Sequence, residues 1–225
     1  VPAYKVASFE LVDLPLIAYI ARQGKPMLMS TGMASLSEVE AAVATAKSHG
    51  CDQIALFHCI SSYPAPLNEA NLKAMLTLRE TFNVQVGLSD HTLGSTASIV
   101  ATSLGATVIE KHFTLSRAAE GVDSAFSIEP SEMAELVQAC QAAWSALGSG
   151  GFERSEAEIE NKAFRRSLYF VKDLAAGEVI TTQHVRRIRP GFGLAPKYLE
   201  VVIGRAVKQA VRCGDRVAWH VLEEI

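Results

Sequence analysis

From Val1 to about Gly148 the chain alternates short, almost continuously apolar runs with longer stretches whose apolar residues recur at helical spacing. The short runs are AYKVAS, PMLMST, QIALFHC, VQVGLS and TVIEKHF. Between them lie LPLIAYIARQG, SLSEVEAAVATAKSHG, NLKAMLTLRETF and STASIVATSLGA, and PSEMAELVQACQAAWSALG follows the last run. Gly24, Gly50 and Gly105 stand where helices must stop, as left-handed caps do. Ser35 and Glu38 have the three-residue spacing of a capping box, with Ser37 as a competing cap. Runs that are apolar at nearly every position predict a parallel sheet covered by helices, an α/β fold.

An open doubly wound sheet and a (β/α)8 barrel both fit that rhythm, and the polar residues favour the barrel. Chemistry gathers at the C-terminal end of nearly every run: Ser8 and Glu10, Ser30 and Thr31, His58 and Ser61, Ser89 to His91, Glu110 and His112. In a barrel these ends converge on one mouth, whereas an open sheet concentrates them at a single switch point. No GxGxxG or P-loop supports a nucleotide-binding sheet. Five βα units are visible where a barrel needs eight. Residues 1–148 are therefore expected to be strands 4 to 8, with on the order of 100 residues of earlier barrel, at ~250 per barrel, preceding Val1.

A charged, glycine-led stretch, GSGGFERSEAEIENKA, is expected to be a linker over 149–163. From residue 164 to 225 the pattern changes to short strands and tight turns, with KDLAAGE and RPGFG as turn signals. A second, small, mostly β domain is expected there.

Composition narrows the function classes. A net charge of −3 with 49% hydrophobic residues gives neither a basic field for nucleic acid nor an acidic tail. No apolar run reaches the roughly 18 residues of a membrane span, and no secretory leader pattern opens the chain. Cys51, Cys59, Cys140 and Cys213 form no CxxC pair and are expected to be reduced thiols of a cytoplasmic protein.

Strand alternation puts Ser89 and His91 on one face and Asp90 on the other. Glu110 and His112 likewise share a face while Lys111 points away. Neighbouring strands lie about 5 Å apart, so two inward imidazoles at matching heights can reach one ion. A single histidine on such a strand is usually a hydrogen-bonded core residue; a matched pair brings in a divalent metal. Two histidines completed by water and substrate oxygens suit Mn²⁺, Co²⁺ or Zn²⁺. A closed structural zinc site is disfavoured, because neither motif contains a cysteine. Lys5 in the barrel wall suggests an anion, or else a lysine reaching solvent. Ser8, Ser30, Ser61 and Ser89 are each turn or cap residues taken singly, but together they resemble an oxyanion-binding rim. SSYPAP can hold Tyr63 over the mouth or merely pack it. Asp123, in the long loop SRAAEGVDSAFSIEP, can face a polyol or solvent.

The motifs YKVASFE, MSTGMAS, HCISSYPAP, GLSDHT and EKHFTL, followed by RRSLYFVKDLAAGEVIT, RIRPGFGL and KYLEVVIGR, resemble the sialic acid (nonulosonic acid) synthases. These are (β/α)8 barrels with a C-terminal SAF (antifreeze-like, β-clip) domain, and the resemblance spans essentially the whole chain in order. EKHFTLSR, FSIEP and FRRSLYFVKD look most like the pseudaminic acid synthase branch. The resemblance implies a C–C bond-forming transferase that condenses phosphoenolpyruvate with an open-chain N-acetylated amino sugar and releases phosphate. By it, His91 and His112 hold a divalent ion, Mn²⁺ first, with Mg²⁺ or Co²⁺ as alternatives, that polarises the sugar aldehyde. Lys5, Ser8, Ser30, Ser61 and Ser89 contact phosphoenolpyruvate, although asparagine often stands at the position of Ser61. Glu10, Tyr63 and Asp123 face the sugar. Arg189 reaches it from the partner of a domain-swapped homodimer, whose SAF domain covers the neighbouring barrel. The family's first barrel strands, with a further phosphate-contacting lysine, have no counterpart here, so this polypeptide alone is expected to be inactive. N-acetylneuraminate or legionaminate synthesis is the alternative of the same chemistry. A sugar-binding SAF module on an inert scaffold and a metal-dependent aldolase or isomerase are the alternatives of other classes.

Overall fold

In the computed structural model, which describes residues 1–119 and 121–224, every apolar run of the first half is a strand and every helical stretch a helix. The order is β1 (Tyr4–Val6), α1 (Leu14–Ala21), β2 (Met27–Ser30), α2 (Leu36–Ser48), β3 (Ile54–His58), α3 (Ala74–Phe82), β4 (Gln85–Asp90), α4 (Thr96–Ser103), β5 (Val108–Lys111) and α5 (Pro130–Leu147). Glu120, in the loop after β5, and Ile225, at the end of the expected second domain, lie outside the described residues. The chain divides into two units, Val1–Gly150 and Gly151–Ile225.

Local chemistry starts and stops the helices. Asp13 caps α1, its carboxylate accepting from the Leu16 amide at 3.0 Å, and Pro15 falls in the first turn, where a missing N–H costs nothing. Ser35 rather than Ser37 caps α2, with Glu38 returning a 2.7 Å bond from the Ser35 amide. Gly24, Gly50 and Gly105 end their helices at φ +66°, +92° and +95°, a region closed to residues with a Cβ except at a cost.

The five strands form one parallel sheet in the order β1-β2-β3-β4-β5. Val6, Met27, Met29, Ile54, Leu56, Val86 and Leu88 face the helices and bury against Ile17, Val39, Val43, Met75 and Ala101. Alternation then leaves Lys5, Ser30, Phe57, Ser89 and Glu110 on the opposite face. That face is concave. β1 and β5 are the two ends of the strand order, yet Lys5 Nζ on β1 lies 3.3 Å from Glu110 Oε1 on β5. Side chains thus meet across the inside, as in the packed interior of a (β/α)8 barrel.

The same alternation corrects one expectation. His58 ends β3 but does not belong to the mouth, because Phe57 takes the inward position. His58 turns towards α2 and α3, where Nε2 bonds the Ala70 carbonyl at 2.8 Å. Burial pushes its pKa down, with the Ala70 bond opposing. The unfolded chain therefore takes up this proton first as pH falls through the ordinary histidine range. Stability is accordingly lost with acid between the unfolded and folded pKa values. His58→Gln, which keeps an N–H donor, should show a smaller drop in urea midpoint between pH 7 and pH 5 than the parent. An equal drop in both proteins removes His58 as the cause.

In the second unit, the stretch expected to be a plain linker carries helical turns, α6 (Glu156–Ile159) and a 3-10 turn over Glu160–Phe164. A capping box between Ser155 and Glu158 accounts for them. β6 (Ser167–Phe170) and β7 (Val185–Ile188) pair antiparallel, and isolated bridges such as Leu174 to Val211 and Val207 to Leu222 continue the β character. Leu168, Phe170, Ile180, Val185, Val207, Val217 and Leu222 form a separate core, closed by the short α7 (Leu199–Val202). Among the described residues no helix is long and apolar enough to cross a membrane.

Candidate active site

The carboxyl ends of the five strands place three groups of side chains on the concave face. The first is cationic. Lys5 Nζ donates to Ser30 Oγ at 2.8 Å, pairs with Glu110, and lies 5.6 Å from the Phe57 ring centroid. Glu110 Oε1 also accepts from Ser89 Oγ at 2.7 Å, so β1, β2, β4 and β5 are linked through one lysine and one carboxylate.

The second group is a set of small donors. Ser8 Oγ lies 3.0 Å from Cys59 Sγ and accepts from the Gly32 amide at 3.1 Å. Space around Gly32 is tight enough that any Cβ would displace its neighbours. A Cβ there would stand 2.3 Å from Ser61 Oγ and 2.8 Å from both Cys59 Sγ and Ser8 Oγ. Ser61 Oγ is buried without a hydrogen-bond partner among the described residues. Native structures seldom leave a buried hydroxyl unpaired, and a ligand oxygen would satisfy this one.

The third group is aromatic. His91 and His112 follow the last paired residues of β4 and β5, with ring centroids 5.3 Å apart. His91 Nδ1 lies 2.8 Å from the Ile60 carbonyl, which requires the proton on Nδ1 and leaves the lone pair on Nε2, 3.4 Å from Ser89 Oγ. Burial lowers the His91 pKa, with the Ile60 bond opposing and the neighbouring His112 adding to the shift. His112 Nδ1 faces Asp123 Oδ2 at 3.4 Å. Tyr63 does lie over the pair, 4.3 Å from the His91 ring and 5.6 Å from the His112 ring. Phe126 closes the box at 5.1 Å from His112 and 5.5 Å from Tyr63.

These residues fit a divalent cation held by two protein ligands. Each imidazole has its Nδ1 engaged by a carbonyl or a carboxylate, the outer-shell pattern that orients Nε2 towards a metal. Among the described residues no three His, Cys, Asp or Glu groups converge, so water and substrate oxygens would complete the shell. The donor set excludes a closed structural site.

Lys5, Ser8, Ser30, Ser61, Tyr63, Ser89, His91, His112 and Asp123 thus belong to one mouth. Asp123, expected to face the sugar, has one carboxylate oxygen beside His112 Nδ1 and is half exposed. Glu10 sits in the 3-10 turn after β1, exposed and without a side-chain partner among the described residues. Arg189 belongs to the second unit, directly after β7, and is exposed. The sequence pattern assigns no role to Gly32, Cys59 or Phe126, and leaves Glu110 as a strand-end carboxylate only. Glu110 was detectable from its two-residue spacing to His112; a steric need for glycine and a ring contributed by a loop leave no periodic signal.

Five βα units with ligand-type side chains at their carboxyl ends define a portion of a barrel enzyme domain. The chain belongs to the NeuB family, which residues 1–151 match, and residues 165–223 match the SAF domain. It is 40% identical over 213 residues to a pseudaminic acid synthase of Campylobacter jejuni, covering 95% of this chain and 62% of that protein. It is 38% identical over 224 residues to an N,N'-diacetyllegionaminic acid synthase of Legionella pneumophila, covering 97% and 63%. The crystal structure of the spore coat polysaccharide biosynthesis protein spsE from Bacillus subtilis superposes with a TM-score of 0.62 at 31% identity, over 99% of this chain and 68% of that one. The chain thus spans less than two thirds of the length of both curated synthases.

Proposed function

We propose that this chain supplies the metal-binding part of a synthase that joins phosphoenolpyruvate to an open-chain 2,4-diacetamido-2,4,6-trideoxy hexose, giving pseudaminic acid and phosphate. The observation that carries the reading is the His91–His112 imidazole pair beside a lysine and serine rim on one barrel mouth. His91 and His112 would hold the divalent ion, Mn²⁺ first, and a bound ion would act as a Lewis acid on the sugar aldehyde. Lys5 and the hydroxyls of Ser8, Ser30, Ser61 and Ser89 bind and orient phosphoenolpyruvate, whose carbon 3 attacks the aldehyde carbon. Water adds to carbon 2 of the resulting cation, and phosphate leaves with cleavage of its C–O bond. Tyr63 and Phe126 offer an apolar wall against the methyl end of a 6-deoxy sugar. Glu10, exposed beside Ser8, is free to meet the sugar, and Asp123 acts on it through His112.

Arg189 completes the sugar site from a second copy, as part of a homodimer in which SAF domains cover the partner barrels. Four free cysteines suit a reducing, cytoplasmic location. Among the described residues neither β1 nor β5 has a second strand partner, so the 225-residue chain by itself should release no phosphate.

The test is a sugar panel offered, with phosphoenolpyruvate and Mn²⁺, to a protein whose barrel is completed by three further βα units. The trideoxy sugar with altro configuration should be turned over at least about tenfold more efficiently than N-acetylmannosamine, the size of effect that one apolar contact provides. Faster turnover of N-acetylmannosamine, or of the legionaminate precursor, replaces the pseudaminic assignment by that alternative. No phosphate release with any sugar ends the synthase reading.

A further inference from the structure

Behind the two imidazoles, on the helix side of the sheet, lies a buried ion pair that the proposed chemistry does not use. Lys111 Nζ stands 3.0 Å from Asp90 Oδ2, with the two side chains 2% and 1% exposed. Every polar atom of the pair is engaged. Asp90 Oδ1 accepts from the Thr92 amide at 2.9 Å and from Thr92 Oγ1 at 2.8 Å. Asp90 Oδ2 accepts from Ser98 Oγ at 2.6 Å, and Lys111 Nζ donates to the Thr92 carbonyl at 2.7 Å.

Stability is a poor reason for such a pair, because desolvation offsets most of its attraction and apolar replacements of similar volume are often neutral. Its placement suggests another role. The β4–β5 ladder ends at the register pair Asp90 and Lys111, one residue short of His91 and His112. Beyond it the two strands pair with other segments, Thr92 with Ala65 and Phe113 with Ile128, so among the described residues no rung joins the two imidazole-bearing residues directly. The buried network takes over at that point. It grips the backbone on both sides of His91, through Asp90 and Thr92, and ties it to the residue immediately before His112.

We propose that Asp90 and Lys111, with Thr92 and Ser98, are positioning residues that set the separation and aim of the His91–His112 pair for a divalent cation. The inference rests on the metal reading of that pair. Removing only one charge would leave the other buried and threaten the fold, so the test uses Asp90→Asn together with Lys111→Met. Mn²⁺ binding to the chain is read from the electron paramagnetic resonance signal of free Mn²⁺, with far-UV circular dichroism and thermal unfolding to establish the folded fraction.

The expected result is a folded double variant whose Kd for Mn²⁺ rises about tenfold or more, the scale seen when outer-shell partners are lost. A Kd within twofold of the parent in the folded variant overturns the proposal and leaves the pair a packing element. Should the double variant not fold, Ser98→Ala, which removes a single bond to Asp90, carries the test. A threefold or larger rise supports the proposal and an unchanged Kd overturns it. A parent that binds no Mn²⁺ is a different failure: it removes the metal reading, and this inference with it.

Discussion

His91→Ala and His112→Ala are each expected to weaken Mn²⁺ binding by more than about 100-fold, because loss of even an outer-shell partner costs 10–100-fold. Each variant removes one of the two protein nitrogens, and the remaining imidazole cannot close a stable shell alone. The effect should be unequal. His91 is tethered to the Ile60 carbonyl and in tilted contact with the Tyr63 ring, so its loss also frees that ring. His112 is held by Asp123 from a loop, and Asp123→Asn should reproduce part of the His112→Ala loss by removing the carboxylate that orients it. Titration calorimetry with Mn²⁺, on protein shown to be folded, checks both. Parent-like affinity in either alanine variant refutes the two-histidine site.

Gly32→Ala should strike the anion side of the mouth without unfolding the unit. The added methyl would fall 2.3 Å from the orphan Ser61 hydroxyl and 2.8 Å from Ser8 and Cys59. Relief requires those side chains to leave the positions that would bind phosphoenolpyruvate. Overpacking of this kind typically costs about 1–3 kcal/mol, which corresponds to a loss of about fivefold to 150-fold if it falls on affinity. The prediction is a matching rise in the dissociation constant for phosphoenolpyruvate, measured in the barrel-completed protein, with the Mn²⁺ affinity of the histidine pair unchanged. Unaltered phosphoenolpyruvate binding would remove the Ser8–Gly32–Ser61 group from the anion site. A parallel loss of Mn²⁺ binding would mean that the methyl disturbs the whole mouth.

The two predictions touch opposite sides of one site, and they differ in how visible their residues are in the sequence. The histidines stand out because a β-strand has period two: His91 shares the face of Ser89, and His112 that of Glu110. Gly32 does not. Its backbone adopts no conformation reserved for glycine, and its need is set by Ser8, Cys59 and Ser61, which reach it from other βα units. Phe126 is similar, since a loop ring acquires meaning only from the rings it meets. His58 marks the opposite error. It looks like part of the mouth by its place at a strand end, and one step of alternation sends it to the helix layer.

By itself the sequence determined the α/β class, the five strands and five helices of the first unit, the glycine stops of three helices and the facing of the two histidines. All of these follow from local periodicity and from backbone chemistry that acts within a few residues. Tertiary structure alone decided which distant groups meet: Lys5 with Glu110 across the concave face, Asp123 with His112, and Asp90 with Lys111 behind the imidazoles. These contacts depend on the curvature of the sheet, the path of its loops and the offset between strand ends, and no short-range pattern encodes those.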